Sequence, residues 1–213
     1  MIEILFFIIS YLLGSLPFGY LLPKIFTGKN VLEIGWKKTS ASNVAKHISL
    51  FWGVLSGILD VLKGSLAVFL AKYFNFNLTT QTICGILAIV GHNWSIFLGG
   101  AGGRGVGTFG GALLVLSPKI FVFSILLTLI FLFFLNSPLA TIFLFLSIIL
   151  LSFFFHFDFL LIFSLISFLI ILLKRLSPVS EISLKNLTLI KNRLLYDRNE
   201  YLKTKIEKWI LKK

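Results

Sequence analysis

Gly91-His92-Asn93-Trp94-Ser95-Ile96-Phe97-Leu98-Gly99-Gly100-Ala101-Gly102-Gly103-Arg104-Gly105-Val106-Gly107-Thr108-Phe109-Gly110-Gly111 is a polar island in an otherwise apolar chain. Glycine dominates it from Gly99 onward, and the run is too Gly-dense to be an ordinary helix. Repeated glycine lets backbone N–H groups turn inward and approach a ligand closely. Arg104 sits in the middle of the run, and a helical pattern resumes at Val106. Free N–H groups at a helix start, a favourable dipole and an Arg fork suit a phosphate or another oxyanion. The competing reading is close helix–helix packing through small residues. Packing alone does not need a guanidinium, so the anion-site reading is the one carried forward.

Outward from the island the chain is greasy. Mean hydropathy is +0.98. Of 213 residues 57% are hydrophobic and only 13% are charged. A soluble domain of this size could not hide so much apolar surface, so the chain reads as an all-α polytopic membrane protein. The single cysteine, Cys84, excludes an intrachain disulfide and reads as a packing residue. The N-terminus lacks the basic segment of a secretory signal, and Glu3 is acidic. Met1–Leu22 therefore reads as part of a retained first span.

About seven spans are expected from the ~20-residue length that crosses a bilayer. They run roughly over Ile4–Ile25, Leu50–Ala71, Thr80–Leu98, a short Val106–Leu116, Ile120–Leu135, Leu139–Phe155 and Phe159–Leu173. Ser117-Pro118, Asn136-Ser137-Pro138 and His156-Phe157-Asp158 mark breaks, because Pro is tolerated at the first position of a helix. Residues 1–175 read as a membrane domain and 176–213 as a basic amphipathic tail. From Lys174 onward there are eleven Lys/Arg against four Asp/Glu. Leu187, Ile190, Leu194, Leu202, Ile206, Trp209 and Ile210 recur there at helical spacing, the pattern of a helix lying on an anionic leaflet.

Positive charge orients these spans. The first loop carries Lys24, Lys29, Lys37, Lys38 and Lys46 against Glu33, and Arg104 lies between spans three and four. An odd span count puts both loops and the basic tail on one side, leaving Lys72 and Lys119 opposite. The positive-inside rule then places the N-terminus outside and the motif loops and C-terminus in the cytoplasm.

Asp60 and Lys63 fall inside the second span, three residues apart and thus on one helical face. Each costs about 2.5–3.5 kcal/mol at a bilayer centre. They must pair with each other or line a polar cavity. His92 reads as a hydrogen-bonding orienter. His47 and His156 have no constellation around them.

Gly14-Ser15-Leu16-Pro17-Phe18-Gly19-Tyr20, Leu59-Asp60-Val61-Leu62-Lys63-Gly64, and Gly91-His92 followed by Gly102-Gly103-Arg104-Gly105 together resemble the bacterial acyl-phosphate:glycerol-3-phosphate acyltransferases. Asn192-Arg193-Leu194-Leu195 resembles the end of that family's third motif. The resemblance implies seven spans with cytoplasmic motif loops. It implies transfer of a fatty acyl group from acyl phosphate to glycerol 3-phosphate, giving lysophosphatidic acid and inorganic phosphate without cofactor or metal. The implied partners are membrane lipids and the two phosphate substrates, with no nucleic acid, in a bacterial cytoplasmic membrane. Carried onto this chain it gives catalytic roles to Arg104, Lys46 and His92, and Lys38, which stands at a family Asn, is read with them as a phosphate-holding cation. Ser42, Asn43, Gly102, Gly103, Gly105, Asn192 and Arg193 would bind substrate.

The sequence also departs from the family. Where the family's first loop runs Gly-Ser-Gly-Asn-x-Gly-Ala-Thr-Asn, this chain has Gly35-Trp36-Lys37-Lys38-Thr39-Ser40-Ala41-Ser42-Asn43. Trp36 stands at the family's active-site Ser, Lys46 at an Arg, and Arg104 at the Lys of Gly-Gly-Lys-Gly. Leu187 and Ile190 stand at a polar His and Asn. Two main readings remain open: a divergent acyltransferase holding phosphates with Lys38, Lys46 and Arg104, or a catalytically inactive relative that binds lipid, phosphate or a partner protein. A small-anion transporter is a third, lacking a ladder of intramembrane polar residues.

Overall fold

The computed structural model describes residues 2–178 and 186–197. All regular structure among them is helical. The chain divides into two compact units, Met1–Pro118 and Lys119–Lys213. This division rests on packing, whereas the division at 175/176 rests on hydropathy.

The first unit holds α1 (Ile2–Ser15), α2 (Phe18–Thr27), α3 (Ala41–His47), α4 (Leu50–Tyr73), α5 (Leu78–Asn93), a 3-10 turn (Ile96–Leu98) and α6 (Val106–Leu116). α4 packs against α1, α2, α3, α5 and α6. Its two faces show how a chain packs when the solvent is lipid. Ile58, Leu62, Leu66, Phe69 and Tyr73 lie exposed along one stripe, while Ser56, Asp60, Lys63, Gly64, Ala67 and Ala71 are buried. Lipid tails are as apolar as leucine, so large side chains gain little by turning inward, and small residues let backbones touch. A Cβ on Gly64 would overlap the Thr108 carbonyl, and one on Gly111 would overlap the Val61 carbonyl. Gly111 therefore packs α6 closely on α4, the use that the competing reading of the island gave its small residues.

The first span departs from the single helix expected over Ile4–Ile25. It breaks at Leu16-Pro17 into α1 and α2, bent by 40°. Pro17 has no N–H to continue the helix, and freed carbonyls inside a membrane must find other donors. They do: Lys63 Nζ donates to Leu16 O (2.8 Å) and Ser95 Oγ donates to Ser15 O (2.6 Å).

The second unit holds α7 (Pro118–Phe134), α8 (Ser137–Phe154), α9 (Asp158–Arg175) and α10 (Leu187–Tyr196), with α7 beginning at the division itself. α8 packs on α9, with Phe145 stacked on Phe168, and α10 packs on both. Among the described residues three helical stretches are long and apolar enough to cross a membrane: α4, Leu78–Leu98 and α8. A fourth is added if bent α1–α2 is one span, and α6 and α7 are shorter apolar helices. α9 is of comparable length but carries Asp158, Lys174 and Arg175 at its ends. In the tail, α10 contains Leu187, Ile190 and Leu194. Leu202, Ile206, Trp209 and Ile210 lie outside the described residues.

Candidate active site

In the first unit the expected site residues fall in two stretches, the α2–α3 loop with α3, which carries Ser42, Asn43 and Lys46, and the Gly-Arg loop with His92 near the end of α5. The first, between α2 and α3, is built around Asn43. Its Oδ1 accepts the Trp36 N–H (2.9 Å), and its Nδ2 donates to Lys38 O (2.9 Å) and Ile34 O (3.2 Å). Asn43 is fully buried. A side-chain amide with one acceptor and two donors can replace missing backbone partners in an irregular loop. Asn43 thus shapes the loop from beneath rather than reaching out of it. Lys37 adopts φ 53° at the apex. The Lys46 ammonium sits over the Trp36 ring at 5.4 Å, and His47 meets that ring edge-on at 5.3 Å. The indole at the Ser position therefore serves as a platform for a cation. Lys38 is half-buried, and Ser42 is exposed with its hydroxyl 3.4 Å from that of Ser40.

The second loop is the Gly-Arg stretch. Its backbone is pinned to the end of α5: Gly103 N donates to His92 O (3.1 Å), and Ser95 N donates to Ala101 O (3.2 Å). A Cβ on Gly103 would overlap His92 Nε2, so only glycine lets the loop lie flat on the imidazole. Gly105 caps α6 with φ 71°, a left-handed conformation open to glycine without strain. Between these fixed glycines stands Arg104, half-buried. Asn93, fully buried, lies beside Gly105, and its side-chain atoms have no hydrogen-bond partner among the described residues.

Beneath the loops lies a buried ionic hub. Asp60 Oδ1 is 3.0 Å from Lys63 Nζ and 3.3 Å from His92 Nδ1. The contact to Asp60 favours the tautomer with Nδ1–H and leaves the Nε2 edge against Gly103. Lys63 also reaches Leu16 O across the broken helix. One carboxylate thus ties α4 to α5, and through its two partners to the α1–α2 break and the Gly-Arg loop. Ser15, Thr39 and Ser95 line the crevice around it, too narrow to hold a substrate. Thr39 belongs to the first loop, so both loops rest on this hub. Asp60 and Lys63 are paired, as one of the two alternatives for them in the sequence held.

Asn192 and Arg193 lie on α10 in the second unit and are buried. Arg193 Nη1 donates to the carbonyls of Leu176 and Pro178. Ser15, Thr39, Asn93 and Ser95 were not singled out from sequence. Proximity to His92 hinted at the last two only. Among the described residues no three His, Cys, Asp or Glu side chains converge as a metal-binding set.

A family model described as glycerol-3-phosphate acyltransferase matches residues 4–182. The chain belongs to the glycerol-3-phosphate acyltransferase family. A relative so named from Prochlorococcus marinus (strain MIT 9215) is 42% identical over 118 residues, covering 55% of this chain and 60% of its own. The chain spans about three fifths of the length of the curated relatives it matches. The fold is similar to the crystal structure of PlsY (YgiH), an integral membrane glycerol 3-phosphate acyltransferase, in its glycerol 3-phosphate form. That match has a TM-score of 0.77 at 29% identity and covers 84% of this chain and 91% of that one. The lysophosphatidic acid form of the same enzyme matches with a TM-score of 0.76 at 27% identity, over 99% of this chain and 100% of that one. All motifs of this acyltransferase family in the first unit, from Gly14 to Gly105, fall inside the matched residues, whereas α10 lies beyond them.

Proposed function

We propose that this chain transfers a fatty acyl group from acyl phosphate to glycerol 3-phosphate, releasing lysophosphatidic acid and inorganic phosphate. The observation that carries the reading is the Gly-Arg loop, held by its backbone on His92 within a chain of this family. A glycerol hydroxyl oxygen attacks the acyl carbon, the carbon–oxygen bond to phosphate breaks, and the hydroxyl proton leaves with the phosphate. The donor is already activated, so the site has mainly to position two phosphate-bearing substrates and balance their charge. Arg104, Lys46 and Lys38 supply that charge. Gly102, Gly103 and Gly105 bring backbone to the phosphate, and Ser42 offers an exposed hydroxyl. His92 and Asn43 act by holding the loops. The acyl chain of the acyl phosphate reaches the site from the surrounding membrane lipid.

Purified protein in detergent, given acyl phosphate and labelled glycerol 3-phosphate, is expected to form labelled lysolipid. Absence of that product, with phosphate binding retained, would instead support a catalytically inactive relative that binds lipid, phosphate or a partner protein. Trp36 at the Ser position and the apolar Leu187 and Ile190 are the features that favour this second reading.

The same proposal includes seven spans in a bacterial cytoplasmic membrane, with the N-terminus outside, the C-terminus cytoplasmic and 176–213 a basic tail along the inner leaflet. Lys37, Lys191, Lys72 and Lys119 are all exposed. In a Cys84→Ser background, single cysteines at Lys72 and Lys119 should react with a membrane-impermeant maleimide in intact cells. Cysteines at Lys37 and Lys191 should not. Labelling at either of these two would remove the odd span count.

A further inference from the structure

α10 is only 10 residues long. Helices that short are marginal on their own, so its order must come from what it touches. Two buried arginines supply contacts of an unusual kind. Arg175, the last residue of α9, donates from Nη1 to Leu194 O (2.7 Å) in the last turn of α10. Arg193, in the last turn of α10, donates from Nη1 to Leu176 O (3.2 Å), the residue capping α9, and to Pro178 O (3.1 Å). Each helix thus ends against the other's guanidinium. The carbonyls at a helix C-terminus lack intrahelical donors and carry the negative end of the dipole, so a cation there satisfies both needs. Arg175 Nη2 further donates to Pro138 O (3.0 Å), extending the clamp to the first turn of α8. Both arginines are nearly inaccessible, at 3% and 4% relative exposure.

We propose that Arg175 is a positioning residue, which with Arg193 clamps α10 by reciprocal C-capping and so fixes Asn192, the α10 residue read as substrate-binding in the sequence. The part concerning Asn192 rests on the acyltransferase reading above; the clamp itself does not. It also gives Arg193 a different task from the substrate contact expected in the sequence, because that guanidinium already donates to two carbonyls. A planar fork with several donors can bridge separate carbonyls, which a lysine ammonium on a flexible stem holds less firmly.

The test compares Arg175→Ala, Arg175→Lys, Arg193→Ala and the double alanine variant with the unmodified full chain in detergent. Amide hydrogen exchange is followed over residues 187–196, alongside steady-state kinetics with glycerol 3-phosphate. Arg175→Ala should speed exchange in α10 about tenfold or more while leaving α8 protected. It should raise KM for glycerol 3-phosphate several-fold with a smaller change in kcat. Arg175→Lys should fall between it and the unmodified protein. The double variant should be little worse than either single one, because both act through the same helix. Unchanged α10 exchange in Arg175→Ala would overturn the clamp. Faster exchange with unchanged KM would overturn the link to substrate. If the unmodified protein makes no lysolipid, the acyltransferase reading and the Asn192 part fall with it, and the exchange data still decide the clamp.

Discussion

Arg104→Ala is expected to weaken binding of glycerol 3-phosphate or acyl phosphate roughly ten- to hundredfold. A hydrogen bond to a charged group contributes about 1.5–3 kcal/mol, and each ~1.4 kcal/mol is one decade in affinity. The geometry favours a clean result. The backbone before Arg104 is hydrogen-bonded to α5 and the one after it starts α6, so removing the guanidinium should leave the loop in place. Packing of Gly103 on His92 helps to order the loop. Arg104→Lys should keep much of the affinity, since charge is retained and two-pronged contact is lost. Titration of each variant with each phosphate ligand, with melting followed in parallel, checks both points. Unchanged affinity in Arg104→Ala would end the phosphate-cradle reading, whatever happened to melting.

The largest loss of stability is expected from Asp60→Asn. The carboxylate is 4% exposed and faces both Lys63 and His92. Removing one partner of a buried ion pair leaves an uncompensated charge and costs about 3–5 kcal/mol. In a membrane span no water is at hand to relieve it. Asp60→Asn should therefore lower both yield and melting temperature in detergent. Lys63→Met added to Asp60→Asn should recover part of the loss, because the stranded ammonium is gone. Recovery should stay incomplete, since Leu16 O then loses the Lys63 donor at the broken helix and is left with the Phe18 N–H (3.2 Å). A double variant no more stable than Asp60→Asn alone would show that the pair is not what holds the hub together.

The sequence was most informative where one residue type dominates locally. Val106–Leu116 is the helix α6 as expected, because a Gly run precedes it and Pro118 begins the next helix. The second span was expected over Leu50–Ala71 and forms over Leu50–Tyr73, since uninterrupted apolar length is a local property. The Asp60–Lys63 pair followed from helical spacing. The addition of His92 did not, because it comes from another helix. Pro17 was visible in the sequence, yet the bend there is sustained by donors from Lys63 and Ser95, so it read as an unbroken span. α3, with seven residues, was too short to leave a periodic trace. The role of Asn43 was hidden for a similar reason. Its partners are backbone groups of an irregular loop, and no side-chain pattern announces them. The Arg175–Arg193 exchange joins the ends of two helices and likewise has no signature in spacing.

The broken first span has a consequence for how the protein is made. Ser15 O finds its donor in Ser95, 80 residues further along the chain. Leu16 O finds its donor in Lys63, 47 residues along. When the first segment leaves the ribosome and enters the bilayer, neither exists. Until α4 brings Lys63, Leu16 O has the Phe18 N–H (3.2 Å), and until Ser95 follows α5, Ser15 O must be met by water or headgroups near the bilayer surface. α4 enters in the opposite condition, with Asp60 and Lys63 three residues apart and able to neutralise each other within their own helix. The maturation of the amino-terminal segment is thus deferred: it is inserted early and completed only when later helices deliver its missing donors.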